Sequence, residues 1–187
     1  MYNGYPECIV VDNKKYAVHT DFRNWIKIDE LIFGGSLTDK SLAEILALCY
    51  KKLPPNVEAA YKEIINFHNL NRTFKKSANR SGSQKRIISF VADEQYVSAA
   101  FLSEYKIDLN STEMHWFKFK SLFDGLPPTQ KICEIMNIRA VDIGTIKDKQ
   151  TKSHYRRLKS LYRLPDNRSE EEKDADIGSL FAKGMGM

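Results

Sequence analysis

Apolar residues along this chain fall into two rhythms. Near the start, CIVV and YAVHT flank Asp12-Asn13-Lys14-Lys15, and two β-rich runs around a polar turn predict a hairpin. The spacing then lengthens. Phe22, Trp25, Ile28 and Ile32 recur as on one helix face, with Thr20 or Asp21 ahead as a cap and Gly34-Gly35 behind as a stop. A second helix is expected from near Thr38, with Leu42, Ile45, Leu46 and Cys49 on one side. It must end before Pro54-Pro55, because proline disfavours helix in the residue ahead of it. Asn56 is placed to cap a third, whose stripe is Val57, Ala60, Tyr61, Ile64 and His68.

Residues 71–86, NRTFKKSANRSGSQKR, break the pattern. Six basic residues, no acidic ones and one large apolar side chain cannot bury enough surface to offset the entropy of ordering, so a mobile basic loop is expected. RIISF fits either a short strand against the hairpin or a lead into the next helix. Asp93 is a good N-cap for EQYVSAAFLSEYK, which IDL interrupts. Asn110 and Glu113 have the form of a capping box, which predicts a helix over 111–126 ending at Gly125-Leu126-Pro127-Pro128. TQKICEIMNIR reads as a short helix, and Thr145 to Leu164 as the last and longest, stopped by Pro165. From Asp166 the chain is acidic and polar, then apolar residues mix with glycines, so 166–187 is expected to be a largely disordered tail. The expected fold is mainly α: a compact helical domain, 1–165, of about six helices with a small N-terminal β-hairpin, followed by that tail.

Composition narrows the class. Of 187 residues, 42% are hydrophobic, enough for a core. No apolar run approaches the roughly 18 residues that cross a bilayer, and the start does not read as a secretory signal, so a cytoplasmic, membrane-free setting is expected. Cys8, Cys49 and Cys133 are odd in number and far apart, without zinc spacing, and read as reduced thiols, the last two on apolar faces.

Residues 111–126, STEMHWFKFKSLFDGL, invite a stronger reading. On a helix His115, Trp116, Phe119, Leu122 and Phe123 share an arc about 120° wide, with Phe117 roughly opposite. That is a packing face, and His115 reads as a hydrogen-bonded core histidine. An acid–base role needs a partner and a cleft, and no motif ties a Ser, Cys or carboxylate to it. A stacking platform for single strands fits less well, because Lys118 and Lys120 do not alternate on a helical face. Trp25, His115, Trp116, Phe119 and Phe123 are the expected structural core.

The same stretch resembles a known family. HWFKFKSLFDGLPP preceded by YVSAAFLSEYKIDL is similar to the signature of the bacteriophage gene-product-fifteen family of long-tailed phages and prophages of Gram-positive bacteria. TDFRNWIKIDEL, IMNIRAVDIGTIKDK and YRRLKSLYRLP continue the resemblance in order over residues 5–165. Phe117 stands where the family often has a second Trp; aromatic character is kept. The resemblance implies a non-enzymatic tail-assembly chaperone that keeps the tape-measure protein soluble while the tail tube polymerises. It also implies a smaller upstream chaperone and the tail tube protein as further partners, no cofactor, and absence from the mature virion. A tape measure is a long helix with apolar faces that self-associates unless covered.

Positive charge, a formal +5 overall, is concentrated in two places. One is Arg72, Lys75, Lys76, Arg80, Lys85 and Arg86; the other is Lys147, Lys149, Lys152, Arg156, Arg157, Lys159 and Arg163 on the last helix, whose apolar stripe is read as Ile146, Gln150, His154, Leu158, Leu161 and Tyr162. Three readings stand: solvated surface, an acidic protein partner, or nucleic acid bound through phosphates. Lys152, Arg156, Arg157, Lys159 and Arg163 are the candidates for a protein partner. The cations from Arg72 to Arg86, together with the last helix, serve the alternative, a nucleic-acid-binding accessory protein of a phage or prophage. The acidic tail folding back on the basic helix is a further possibility. No phosphate loop, metal-ligand spacing or nucleophile elbow points to an enzyme.

Overall fold

Asp12 and Asn13 reverse the chain with φ of 47° and 62°, both left-handed. Such a pair gives a two-residue hairpin turn the twist its strands need, and Asn and Asp tolerate it best after Gly. The turn is thus two residues long, not four, and Lys14 and Lys15 lie in the second strand. Strands β1 (Cys8–Val11) and β2 (Lys14–Ala17) pair antiparallel, with Cys8 opposite Ala17 and Val11 opposite Lys14. Ile9, Val11 and Val18 are buried. The computed structural model describes residues 4–35, 37–71 and 86–165.

Seven helices follow among the described residues, so the protein is mainly helical with an N-terminal two-strand hairpin. Helix α1 (Phe22–Phe33) starts where the Asp21 carboxylate accepts from the Arg23 amide at 2.9 Å. It ends at Gly34, where a Cβ would collide with the Glu30 carbonyl that the Gly34 amide hydrogen-bonds. Helix α2 (Asp39–Cys49) opens with a reciprocal box between Thr38 and Ser41 and turns Ile45, Leu46 and Cys49 inward. Helix α3 (Val57–His68) is capped by Asn56. Its buried stripe is Ala60, Ile64, Phe67 and His68; Val57 is exposed and Phe67, absent from the expected stripe, lies in the core.

RIISF forms no strand. It runs irregularly into α4 (Glu94–Tyr105), which closes at Lys106 in the left-handed region. Helix α5 (Trp116–Asp124) begins five residues later than its expected start at residue 111. Asn110 does not cap it. The Asp108 carboxylate instead holds a turn, accepting from the Asn110 amide at 2.9 Å and the Ser111 hydroxyl at 3.1 Å, and these bonds keep its carboxyl below the usual carboxylate range. Residues near 115 are needed in extended form, because the Phe22 amide donates to Met114 O (2.9 Å) and the Trp116 amide to Thr20 O (2.7 Å). His115 takes over the cap, its Nδ1 accepting from the Phe117 amide at 3.0 Å. Helix α6 (Lys131–Ala140) leads through a 3-10 turn (Ile143–Thr145) to α7 (Lys149–Leu161). Helix α7 also starts later than expected, because Asp148 accepts from the Thr151 amide at 2.7 Å and fixes the start there.

The core is an aromatic stack. Trp25 lies on Phe67 (4.7 Å between ring centres) and on Trp116 (6.0 Å). Trp116 continues to Phe119 (5.7 Å), which meets Phe22 (4.9 Å) and Phe101 (5.2 Å). Both indole N–H groups are satisfied by backbone: Trp25 donates to His19 O at 2.7 Å and Trp116 to His68 O at 3.1 Å. Trp25, Trp116 and Phe119 are fully buried and Phe123 nearly so, as expected; His115 is only half-buried and sits at the rim. Replacing Trp116 by Ala removes the centre of the stack and strands the His68 carbonyl. We expect a loss of about 3–5 kcal/mol, read as a shift of the urea midpoint by circular dichroism.

Candidate functional site

Beneath the surface a chain of polar groups ties five elements together. Asp29, on the buried face of α1, receives His68 Nε2 at 2.9 Å and an Arg86 guanidinium nitrogen at 2.9 Å. The same guanidinium reaches Glu30 at 3.0 Å, and Glu30 accepts from the Ser89 hydroxyl at 2.8 Å. Ser89 donates its amide to Asp93, and Asp93 is gripped by Arg139 from α6 at 2.6 and 2.9 Å. Arg139 also donates to Ile87 O and Tyr162 O, and its own carbonyl accepts from Lys159 Nζ at 2.7 Å. Asp93 therefore stands at the N-cap position of α4 without capping it through its side chain; its carboxylate is committed to Arg139 and to the Ser89 amide.

The Asp29–His68 pair has the form of an acid–base couple. It lies between Phe33 and Trp116, whose rings are 5.6 and 5.2 Å from the imidazole, and both side chains are buried. With Nε2 donating to Asp29, Nδ1 faces the interior without a partner. This is a clamp between α1 and α3. Arg86, grouped by sequence with the basic loop, is half-buried and engaged by two carboxylates. Arg72, Lys75, Lys76, Arg80, Lys85 and the acidic tail lie outside the described residues.

The surface offers two features. Helices α1 and α4 both pack on α5 but scarcely on each other, which leaves a groove of about 250 Å³ between them. Phe119 of α5, Phe90 and Leu109 line it with Phe22, Ile26 and Val97; Arg23 and Lys27 stand on one side, Glu94 on the other. Arg23 is already held, donating to Leu109 O and Thr112 O at 2.9 Å. The groove combines residues from four stretches of chain, and no local pattern announces it.

The second feature is α7. Its inward face is Lys152, Tyr155, Leu158, Lys159 and Tyr162, all half-buried; of the stripe read from sequence Ile146, Leu158 and Tyr162 are half-buried, while Gln150 and His154 are exposed and Leu161 is 70% exposed. The reason is that a polar anchor, Arg139, sets the rotation of the helix by receiving Lys159 on its carbonyl and donating to Tyr162 O. Arg156, Arg157 and Arg163 point outward, while Lys152 and Lys159 do not. The three cysteines form no disulfide: Cys49 is buried and its pKa is pushed well up by desolvation, Cys133 is half-buried and raised for the same reason, and Cys8 is exposed. No helix among the described residues is long and apolar enough to cross a membrane.

A family model described as Bacteriophage Gp15 protein matches residues 5–164. The chain belongs to the bacteriophage Gp15 protein family. No curated protein and no solved structure matches it. In this Gp15 family member the quoted motif residues have structural duties. In TDFRNW, Asp21 caps α1, Arg23 holds the 109–112 turn and Trp25 enters the stack; in HWF, His115 caps α5; in IMNIR, Arg139 fixes Asp93.

Two tests follow from this geometry. Arg139→Ala leaves Asp93, whose side chain is 3% exposed, without its counter-ion; stability should fall by about 3–5 kcal/mol, and Arg139→Lys, which cannot reproduce the fork, should not restore it. His115 gives a pH signature. Burial holds its pKa below the usual histidine value, against the Pro6 carbonyl and Glu7, which favour the cation. Its Nδ1 accepts, so the proton sits on Nε2, which donates to Pro6 O at 3.0 Å. The unfolded chain therefore binds the proton first. The stabilising contribution is complete above about pH 6.5 and declines as pH falls from there through the lowered folded value. His115→Asn retains a capping acceptor, and its melting temperature should fall less steeply than wild type's below pH 6.5.

Proposed function

We propose that this protein is a tail-assembly chaperone that binds the tape-measure protein of its phage and keeps it soluble while tube subunits polymerise. It works without catalysis, in the host cytoplasm, alongside a smaller chaperone and the tube protein, and it is not retained in the virion. Membership of the Gp15 family over residues 5–164 carries this reading. The surface supports it. An open apolar groove with charged sides suits a helical client, and a modest, partly polar contact suits one that must later be displaced. The outward Arg156, Arg157 and Arg163 favour a second reading, contact with nucleic-acid phosphates.

Co-expression with the tape-measure protein of the same phage, followed by pull-down in moderate salt with nuclease, separates the two. A soluble, nuclease-resistant complex is expected. If the tape measure stays insoluble and nuclease-sensitive nucleic acid co-elutes instead, the chaperone reading falls and the basic residues become the site.

A further inference from the structure

We infer that the groove between α1 and α4 is the seat for one amphipathic helix of a protein client, laid apolar edge down, with an acidic flank toward Lys27 and a basic flank toward Glu94. The inference rests on the client reading above and assigns it a place. Three observations carry it.

The first is shape. About 250 Å³ is below the roughly 300–1,000 Å³ typical of small-molecule sites, and the space is an open trough rather than an enclosed cavity. It suits a few apolar side chains presented at i, i+3 and i+4 by a helix lying across it. The second is the surface around it. Phe22, Phe90 and Phe119 form the floor and are themselves almost fully buried in the aromatic stack, so the trough is shaped before anything binds, and Ile26 and Val91 supply its accessible apolar wall. At its side Val91 is 52% exposed, extending the apolar surface outward.

The third is charge. Lys27 on α1 and Glu94 in the first turn of α4 are exposed on opposite sides, and neither has an ion-pair partner among the described residues. Glu94 is favoured where it is by the helix N-terminus and needs no partner there. Two unpaired charges of opposite sign across an apolar trough fix the direction in which an amphipathic helix with unlike flanks can lie, because the reversed helix sets like charges together.

The probe is a designed, fluorescein-labelled peptide of roughly 18 residues, long enough to be helical, with a leucine stripe flanked by glutamates on one edge and lysines on the other. Titrated with the full chain, it is expected to bind. Val91→Glu and Ser98→Arg, both groove-lining changes outside the core, should each weaken it roughly tenfold with unchanged melting. Lys27→Glu should weaken it too, and a peptide whose glutamates are replaced by lysines should recover the loss. Leu161→Glu on α7 should leave affinity within roughly twofold. Equal binding by wild type, Val91→Glu and Ser98→Arg overturns the inference.

A benzophenone side chain at position 91, in the full chain co-expressed with the tape measure, tests the occupant directly. Cross-linking to the tape measure supports the assignment; cross-linking to residues 166–187 of the same chain or to a second copy overturns it. The two levels fail separately. A pull-down that succeeds unchanged with Ser98→Arg removes the groove and leaves the chaperone. A tape measure that never binds, with a peptide that still needs Lys27, removes the chaperone and leaves a helix-binding groove.

Discussion

Two buried indole N–H groups organise this molecule. A buried donor without an acceptor costs about 1–3 kcal/mol, so each ring has a place only where a free carbonyl reaches it. For Trp25 that carbonyl is His19, at the end of the hairpin; for Trp116 it is His68, in the last turn of α3. The backbone bonds between residues 20–22 and 114–116 then fix the starts of α1 and α5 against each other. Hairpin, α1, α3 and α5 therefore share one register, and the groove exists because α4 packs on the remaining side of α5.

How much of this the sequence discloses follows from how local each cause is. Asp21, Thr38 and Asn56 act within three residues of themselves, and the helices they cap were legible. So were the apolar stripes of α1 and α2, whose partners are simply whatever core is present. The start of α5 was not, because His115 was committed to extended pairing with Asp21 by a contact 94 residues away in the chain, and a local capping box could not compete. The rotation of α7 was misread for a related reason. Its own apolar residues are too few to set it, and a guanidinium on another helix does so instead.

The candidate site divides the same way. Cations on α7 were visible as composition, yet which of them face outward depends on that anchor. The Asp29–His68–Arg86 cluster joins residues 39 and 57 positions apart, and nothing in the spacing signals it. His68 had been read as part of a helix stripe and Arg86 as part of the basic loop. The motif residues Asp21, Arg23, Trp25, His115 and Arg139 proved to hold the fold together.

Helix α7 has no fully buried residue, and polar contacts through Arg139 hold its C-terminal half. Elements attached in this way open at lower free energy than the whole molecule. Both tryptophans of the chain, meanwhile, stand in the central stack and none on α7. Selectively excited tryptophan fluorescence thus reports the body alone. A population in which the basic helix has swung free, its five cations detached from the rest, would look native to that spectroscopy and show itself only to a label placed on the helix.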